Sequence, residues 1–241
     1  MNRKYLFEKY ISTHFEENSK LSNERINLEF CTFDRNFENI LLNKKTKDIL
    51  EIGFGTGFFI KYLLSKGFNN IKGIEISKEE TEFVKKYIYN NVEYVNDTNF
   101  FLNNNKYKYD FIFMLDVLEH IPKNETINLL KKVKNALKKD GTFIARVPNA
   151  SNPFNCGIFS SDFTHEFIFT KSSLMQVNKL AGYTNIEILP FWKEDITIHG
   201  RITNITQKIM FIFIKLLIGL CRNHLDPNSY YTKNIYCICR K

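Results

Sequence analysis

The sequence predicts a single α/β domain built on a doubly wound parallel sheet. From residue 48 onward, short β-rich runs alternate with helical stretches, which is typical of βαβ units covered by helices on both faces. Glycine-rich or acidic motifs follow four of these runs. They therefore stand at the carboxyl ends of strands, where open α/β sheets bind their ligands.

The elements follow one another in a regular order. Two helices are expected before the sheet, over residues 3–15 and 21–42, where apolar residues recur at helical spacing. The first five strand candidates are residues 48–53, 71–76, 91–96, 109–115 and 141–147, and helices are expected at 57–66, 79–90 and 124–138. Prolines and a glycine mark residues 148–170 as an insertion of loops or short elements. A helix over 172–181 and strands near 185–192 and 234–240 complete the prediction.

Length and composition are those of an ordinary globular chain. It has 241 residues, of which 44% are hydrophobic and 25% charged. Its five cysteines show no metal-ligand spacing, so we expect no metal site, and their odd number fits a reducing cytoplasm. The N-terminus lacks a signal-peptide pattern, and no run reaches the roughly 18 apolar residues of a membrane span. A soluble, cytoplasmic protein is expected.

Positive charge is concentrated in the C-terminal segment. The net charge is +8, yet residues 198–241 alone carry seven Lys or Arg and one Asp. The part with the strand-end motifs is thus nearly neutral. A nucleic-acid partner would need basic residues around the ligand-binding half, so none is expected.

The first motif is a glycine-rich turn directly after the first strand. Gly53, Gly55 and Gly57 follow Glu51 and open a helix. Glycines allow the backbone to turn sharply and to approach a ligand closely. The GxGxG spacing and the preceding carboxylate disfavour a dinucleotide, whose pyrophosphate would be repelled by Glu51. A sulfonium or an ammonium group would be attracted.

Three further motifs follow the next three strands. Glu75 ends the second strand, where an acidic residue binds ribose hydroxyls in doubly wound folds. Asp97 and Thr98 follow the third strand and suit an adenine amino group. Asp116 is the second residue of the motif LDVLEHIP (115–122), which follows the fourth strand.

Together these motifs resemble those of class I S-adenosylmethionine methyltransferases, over residues 45–150 at least. The family fold is a Rossmann-like sheet of seven strands whose last strand is antiparallel, and NIYCICRK (234–241) matches that strand. The resemblance implies S-adenosylmethionine as cofactor and S-adenosylhomocysteine as product. The cofactor-binding residues it implies are Glu51 near the ammonium, Gly53, Gly55, Gly57, Glu75, Ile76, Asp97, Thr98 and Asp116.

A second resemblance lies in the insertion after the fifth strand. Residues 162–176, DFTHEFIFTKSSLMQ, are similar to a segment of methyltransferases associated with bacterial surface (capsular) polysaccharide synthesis, as is the lead-in VPNASNP (147–153). By this resemblance, Asn149, Asp162 and Glu166 would bind the acceptor. The expected acceptor is a sugar, sugar-phosphate or phosphoramidate-type group, free or linked to a nucleotide or lipid. We expect four parts within the single domain: an N-terminal helical cap (1–45), a cofactor-binding core (46–147), an acceptor-site insertion and helix (148–183), and a C-terminal hairpin with an apolar helix (184–241).

Methyl transfer to a hydroxyl benefits from a general base, and histidine suits this role near neutral pH. His165 is the first candidate and His120 the second. Both side chains could instead be structural, His120 by capping its loop and His165 by fixing the insertion. An anionic acceptor oxygen would need no base at all.

Residues 206–222 form an apolar helix with Lys208, Lys215 and Arg222 along one stripe. It could pack on the sheet, form a dimer interface, or lie on a membrane surface or lipid-linked acceptor at the inner face of the membrane.

Two other functions also stay open. The chain could methylate a quinone or small aromatic compound, or it could be a cofactor-binding subunit without catalytic activity.

Overall fold

The computed structural model describes residues 22–155, 157, 160–194, 197–222 and 229–241. The predicted helix over residues 3–15 lies outside this part. The described strands form one seven-stranded sheet in the order β3-β2-β1-β4-β5-β7-β6, which confirms the predicted fold class. The strands are β1 (Ile49–Ile52), β2 (Ile71–Glu75), β3 (Val92–Tyr94), β4 (Tyr109–Leu115), β5 (Leu137–Pro148), β6 (Asn185–Phe191) and β7 (Asn234–Arg240).

The direction of the strands follows the prediction as well. β1 to β5 pair in parallel, whereas β7 is antiparallel to both β5 and β6. The strand order reverses between β1 and β4, because β2 and β3 lie on one side of β1 and all later strands on the other. The carboxyl ends on the two sides of this switch point diverge, and a crevice opens between them.

Helices cover both faces of the sheet and lie close to their predicted positions. They are α1 (Asn23–Leu41), α2 (Phe58–Ser65), α3 (Lys78–Tyr87), α4 (Thr98–Asn103), α5 (Lys123–Ala136), α6 (Lys171–Leu180) and α7 (Ile198–Arg222), with a 3-10 turn at Leu118–His120. α4 and the 3-10 turn were not predicted, since six and three residues are too short to establish a helical period.

α1 closes one face of the sheet with aromatic side chains. Phe37 is fully buried, and its ring contacts those of Phe59 on α2, Phe113 on β4 and Tyr236 on β7. The helix begins at Ser22, whose hydroxyl accepts a hydrogen bond from the Arg25 N–H. Its first turn is therefore held above the crevice.

β5 begins four residues earlier than predicted. Its pairing with β4 is irregular, because Tyr109 pairs with Leu137 but Phe111 pairs with Thr142. Lys138 lies in this irregular stretch and donates to the carboxylates of Asp48 and Asp110. The sequence LKKDG predicts a helix end followed by a turn. In the structure, the ion pairs of Lys138 hold this segment in an extended conformation at the start of β5.

α7 contacts the rest of the protein on one side, where the ring centroid of Phe211 lies 6.2 Å from that of Trp192, directly after β6. Within the described residues, only Ile214 and Gly219 of its C-terminal half are buried. Phe211 and Ile218 are half-buried. Nine other large apolar side chains of the helix are exposed: Ile202, Ile205, Ile209, Met210, Ile212, Phe213, Leu216, Leu217 and Leu220. In the described part of the chain, no helix combines the length and the hydropathy that crossing a bilayer requires.

Candidate active site

A cavity of about 520 Å³ lies at the carboxyl ends of the central strands. The turn after β1, the ends of β2 and β4, the 3-10 turn and the insertion after β5 all contribute to its lining. Most of the residues predicted from the sequence are brought together here. They are Glu51, Gly53, Gly55, Glu75, Ile76, Thr98, Asp116, His120, Asp162 and His165.

The glycine turn is shaped by left-handed backbone conformations. Gly53 has a φ of 71°, and a Cβ atom built on it would lie 2.4 Å from Cγ2 of Val117. Any side chain at this position would therefore collide with the turn after β4. Gly57 (φ 78°) is placed differently, because it caps α2 and faces Val84 of α3. It closes the turn against α3 and is not part of the cavity lining.

Glu51 places a poorly compensated, buried carboxyl group in the cavity. Its side chain is 2% exposed, and Oε2 has no hydrogen-bond partner among the described residues. Burial, and then the neighbouring Glu75, raise the pKa of Glu51 well above its usual value, while Arg146 acts in the opposite direction. A cationic ligand would remove this electrostatic cost, because its positive charge would compensate the buried carboxylate of Glu51.

Glu75 joins the glycine turn to the end of β2. Oε2 accepts from the Gly55 N–H at 3.2 Å, and Oε1 accepts from the N–H groups of Ile76 and Ser77 at 2.7 and 3.2 Å. Burial raises the pKa of Glu75 despite these three donors. Burial, and then Glu75, raise the pKa of Glu80 well above its usual value. The cavity thus carries an excess of acidic groups that suits a positively charged ligand.

The third-strand motif is only partly at the cavity. Asp97 is exposed, and its Oδ1 caps α4 by accepting from the N–H groups of Asn99 and Phe100 at 2.7 and 3.1 Å. It lies on a neighbouring surface depression, whereas Thr98 lines the main cavity. The predicted adenine contact of Asp97 remains a prediction.

Asp116 is held by an arginine that sequence reasoning missed. Arg146 of β5 donates from Nε to Oδ1 of Asp116 at 2.9 Å and from Nη2 to Oδ2. Burial opposes the charge of Arg146, but Asp116 more than offsets this and raises its pKa. Asp116 has a φ of 57°, which is uncommon for a residue with a side chain. The bidentate pair holds the strained turn after β4 in one orientation.

The two predicted histidines lie side by side. Their ring centroids are 4.8 Å apart, and Nε2 of His165 lies 3.9 Å from Oδ2 of Asp162. The Thr164 hydroxyl links Asp162 to His120. It donates to Oδ1 of Asp162 at 2.6 Å, and its oxygen lies 2.8 Å from Nδ1 of His120. Burial lowers the pKa of His120 to about 4, so this imidazole is neutral at pH 7.

Glu119 precedes His120 and was not predicted as a site residue. Its side chain is 1% exposed, and Oε2 has no hydrogen-bond partner within the described ranges. Burial, and then Asp116, raise the pKa of Glu119 well above its usual value. The leucines around it in LDVLEHIP suggest a buried face, which hides the carboxylate from sequence reasoning.

Two predicted acceptor residues do not reach the cavity. Asn149 is 1% exposed and donates from Nδ2 to the carbonyl oxygens of Tyr230 and Thr232 at 2.8 and 3.0 Å. It fixes the approach to β7. Glu166 is exposed and absent from the cavity lining, and its backbone N–H donates to the carbonyl of Glu119 at 2.9 Å.

The remaining lining residues that the sequence did not reveal come from distant segments. Arg25 and Glu29 lie on the first turns of α1, Ser161 on the insertion and Lys233 directly before β7. No motif spacing connects these positions to one another. They share a site only because α1 and β7 both begin at the same edge of the sheet.

Comparison with known proteins places this site in a family. A family model described as a methyltransferase domain matches residues 25–188, about two thirds of the chain. A tRNA U34 carboxymethyltransferase of Nautilia profundicola is 30% identical over 110 residues, which are 43% of this chain and 35% of that protein. The chain thus spans about a third of the length of this relative.

Solved structures agree in fold. A SAM-dependent methyltransferase from Archaeoglobus fulgidus superposes with a TM-score of 0.65 at 17% identity, covering 98% of this chain and 99% of that one. A Haemonchus contortus phosphoethanolamine N-methyltransferase 2, solved with S-adenosyl-L-methionine, gives 0.57 at 16% identity, covering 98% and 60%.

The chain belongs to the methyltransferase-domain family, and it has the fold of a solved SAM-dependent methyltransferase. The cavity fits the cofactor S-adenosylmethionine. Gly53 leaves the backbone of the turn open to a ligand, and the unpartnered Oε2 of Glu51 is suited to its ammonium group. Ile76 and Thr98 line the part of the cavity beside Glu75, where the sequence predicts the nucleoside.

Proposed function

We propose that this methyltransferase acts on an oxygen of a sugar, sugar-phosphate or phosphoramidate-type group in the biosynthesis of a surface polysaccharide. The observation that supports this proposal is the polar wall of the cavity that the insertion after β5 contributes. Asp162, His165 and Ser161 of the insertion belong to this wall. The same segment carries the resemblance to methyltransferases of capsular polysaccharide synthesis.

The chemistry of this wall favours a polar acceptor over an aromatic one. A quinone or small aromatic ring is bound best in an apolar slot, with few polar groups to orient it. The insertion instead contributes a carboxylate, an imidazole and a hydroxyl, which match the hydroxyl groups of a sugar. Arg25 and Lys233 also line the cavity and would attract a phosphate or phosphoramidate group.

The residues of the chain have a positioning task in this reaction. S-adenosylmethionine, when bound, supplies a methyl group on a positively charged sulfur that reacts by in-line displacement. The wall residues hold the acceptor oxygen on that line, and such positioning can supply much of the rate enhancement. For a hydroxyl acceptor, His165 is the first candidate to accept the proton and His120 the second.

An acceptor panel tests the proposal. The protein is incubated with methyl-labelled S-adenosylmethionine and with nucleotide sugars, sugar phosphates, a phosphoramidate, a catechol, a quinol or bulk tRNA. Label should appear in a sugar or phosphoramidate compound. Exclusive transfer to the quinol or catechol would support the aromatic alternative, and transfer to tRNA would extend the similarity to the Nautilia relative. Tight cofactor binding without transfer to any acceptor would indicate a non-catalytic subunit.

The role of His165 is tested by substitution. With a hydroxyl acceptor, His165→Gln should lower turnover by more than about 100-fold while calorimetry shows unchanged cofactor affinity. Glu166→Gln is the matched control, because this neighbouring carboxylate is exposed and outside the cavity lining. A loss below tenfold for His165→Gln would mean that the acceptor oxygen is already anionic.

We further propose that α7 places the enzyme on an anionic membrane surface, where lipid-linked acceptors are found. At 100° per residue, its exposed apolar side chains occupy an arc of about 160° on the helix. Lys208 and Lys215 lie along one edge of this arc. An apolar face with a basic edge is the arrangement of helices that lie in the membrane interface.

Liposome flotation tests this placement. The protein should float with vesicles containing phosphatidylglycerol and less with purely zwitterionic vesicles. The double variant I209D/F213D should stay at the bottom of the gradient, whereas Gln207→Asp, on another side of the helix, is the control. Failure to float would remove the proposal. A concentration-dependent dimer that the double variant abolishes would assign the same face to a second copy of the chain.

A further inference from the structure

The described structure brings together three side chains that can ligate a metal ion. Glu119 and His120 belong to the turn after β4, and His165 belongs to the insertion after β5. One potential ligand atom from each residue lies within 4.8 Å of the other two. The fold assembles this cluster, because the two segments are far apart in the sequence.

The backbone keeps the two segments in register. The carbonyl oxygen of Glu119 accepts from the N–H groups of Glu166 and Phe167 at 2.9 and 3.1 Å. These bonds fix the main chain on the C-terminal side of His165 directly beside the turn. The positions of the three side chains are therefore set before any ligand arrives, which lowers the entropic cost of binding.

A second interaction chain fixes the ring of His120. The Thr164 hydroxyl donates to Asp162, so its oxygen accepts from Nδ1 of His120. In this hydrogen-bond network the ring carries its proton on Nδ1 and its lone pair on Nε2. Metal-binding histidines are held in the same way, with one nitrogen bonded to an oriented oxygen and the other directed at the ion.

Glu119 provides an independent sign that a cation belongs here. Its carboxylate is 1% exposed, lines the cavity, and has no partner for Oε2 among the described residues. A buried carboxylate oxygen without a donor is costly unless a ligand compensates it. Ring nitrogens of His120 and His165 lie within 4.8 Å of this carboxylate, and a carboxylate grouped with two imidazoles suits a metal ion.

We propose that Glu119, His120 and His165 bind one divalent transition-metal ion, with Thr164 and Asp162 orienting His120. Two imidazoles and one carboxylate favour Zn²⁺, Mn²⁺, Fe²⁺ or Co²⁺ over Mg²⁺ and Ca²⁺, which prefer oxygen ligands throughout. The expectation of no metal rested on cysteine spacing, and these ligands involve no cysteine. Three protein ligands leave coordination positions open toward the cavity.

The open position gives the ion a role in methyl transfer, and this role rests on the proposed function. An acceptor hydroxyl bound to the ion would have a lowered pKa. Its O–H bond breaks, the proton goes to solvent water, and the electron pair stays on the coordinated oxygen. The histidines would then act as ligands rather than as bases. Binding of the ion itself requires no acceptor.

Metal titration of the full chain tests the site directly. After treatment with a chelator, the protein is titrated with Zn²⁺, Mn²⁺ or Mg²⁺ alone by calorimetry, and Co²⁺ is followed by its d–d absorption. We expect one equivalent of Zn²⁺ or Co²⁺ to bind, without the thiolate charge-transfer band that a cysteine ligand would produce. Glu119→Gln and His165→Ala should each weaken binding at least 100-fold, and Thr164→Val by about 10- to 100-fold.

The controls separate this proposal from loss of folding and from the proposed function. Glu166→Gln should leave metal affinity unchanged. S-adenosylmethionine binding by each variant shows that the fold is intact, because Glu119, Thr164 and His165 are not among the predicted cofactor-binding residues. Absence of a stoichiometric Zn²⁺, Mn²⁺ or Co²⁺ site would overturn the proposal, as would affinities that Glu119→Gln and His165→Ala leave unchanged. Since no acceptor is present, a failed acceptor panel has no bearing on the result.

Discussion

Glu51 offers the sharpest test of how the cofactor site works, because stability and binding should change in opposite directions. The free protein keeps a carboxylate that is 2% exposed and lacks a partner for Oε2 in the described part of the chain. Glu51→Gln keeps the shape and removes the charge. The variant should therefore fold more stably than the wild type and bind S-adenosylmethionine more weakly.

The size of the binding effect follows from simple electrostatics. A charge-assisted hydrogen bond contributes about 1.5–3 kcal/mol, which corresponds to roughly 10- to 150-fold in affinity. A direct Coulomb interaction at 4 Å with an effective dielectric constant of 20 sets an upper limit of about 4 kcal/mol. If Glu51 binds the ammonium group, S-adenosylhomocysteine should lose as much affinity as S-adenosylmethionine, since both molecules carry that group.

The direction of the pKa shift of Glu51 determines how the stability difference between Glu51→Gln and the wild type depends on pH. Burial raises the pKa of Glu51 above its usual value, so the folded state favours the protonated form. The stability contribution of such a group is present below its unfolded pKa and is lost as pH rises through the raised value. The advantage of Glu51→Gln should therefore grow with pH, reaching about 1 kcal/mol or a rise of about 2–4 °C in Tm at pH 8.

Calorimetry and thermal unfolding check both halves of this reasoning. Wild-type cofactor affinity should rise with pH, because binding displaces a proton from Glu51, and this dependence should be absent in Glu51→Gln. Glu82→Gln on the exposed side of α3 is the control for the change in net charge. A Glu51→Gln protein that is less stable but binds the cofactor normally would refute the argument, since it would make Glu51 a structural residue.

Three further substitutions test the elements around the cavity. Asn149→Ala leaves two buried carbonyl groups without their donor and should cost about 2–4 kcal/mol in urea unfolding, with little effect on cofactor affinity. Gly53→Ala should lower both Tm and cofactor affinity, and adding Val117→Ala should restore part of the Tm, because the clash is removed while the backbone strain remains. Arg146→Lys loses the bidentate bond to Asp116 and should cost about 1–3 kcal/mol in unfolding; wild-type stability would contradict a positioning role for this pair.

The fold could be predicted from the sequence because its signals are local and periodic. Strands such as Tyr109–Leu115 are continuous apolar runs, and the helices between them show a clear helical period. The start of β5 could not be predicted, because the ion pairs of Lys138 join residues that are far apart in the chain. The exposure of α7 could not be predicted either. The sequence of an apolar helix does not show whether its apolar side packs on a sheet or faces outward.

The cofactor half of the site was also predictable, whereas the acceptor half was not. Glu51 and Glu75 lie near the carboxyl ends of β1 and β2, and Gly53 directly follows β1, so the topology alone brings them together. Asn149 and Glu166 were assigned from a resemblance in a loop, where a polar residue can equally well bind the backbone. Asn149 does so, and a buried asparagine cannot be distinguished by type from one that faces a ligand.

Uncompensated charge marks the ligand sites of this protein more reliably than residue type does. Ordinary structural carboxylates here are paired, as Asp110 is with Lys138, whose hydrogen bond helps lower the pKa of Asp110 although burial opposes it. Glu51 and Glu119 instead each retain a buried oxygen without a donor in the described structure, and both line the same cavity. A fold gains nothing from either group in the absence of a ligand, because hydrophobic residues of similar size would be cheaper to bury. Their persistence at two separate positions argues that two positively charged ligands, the cofactor and a metal ion, together complete the active site.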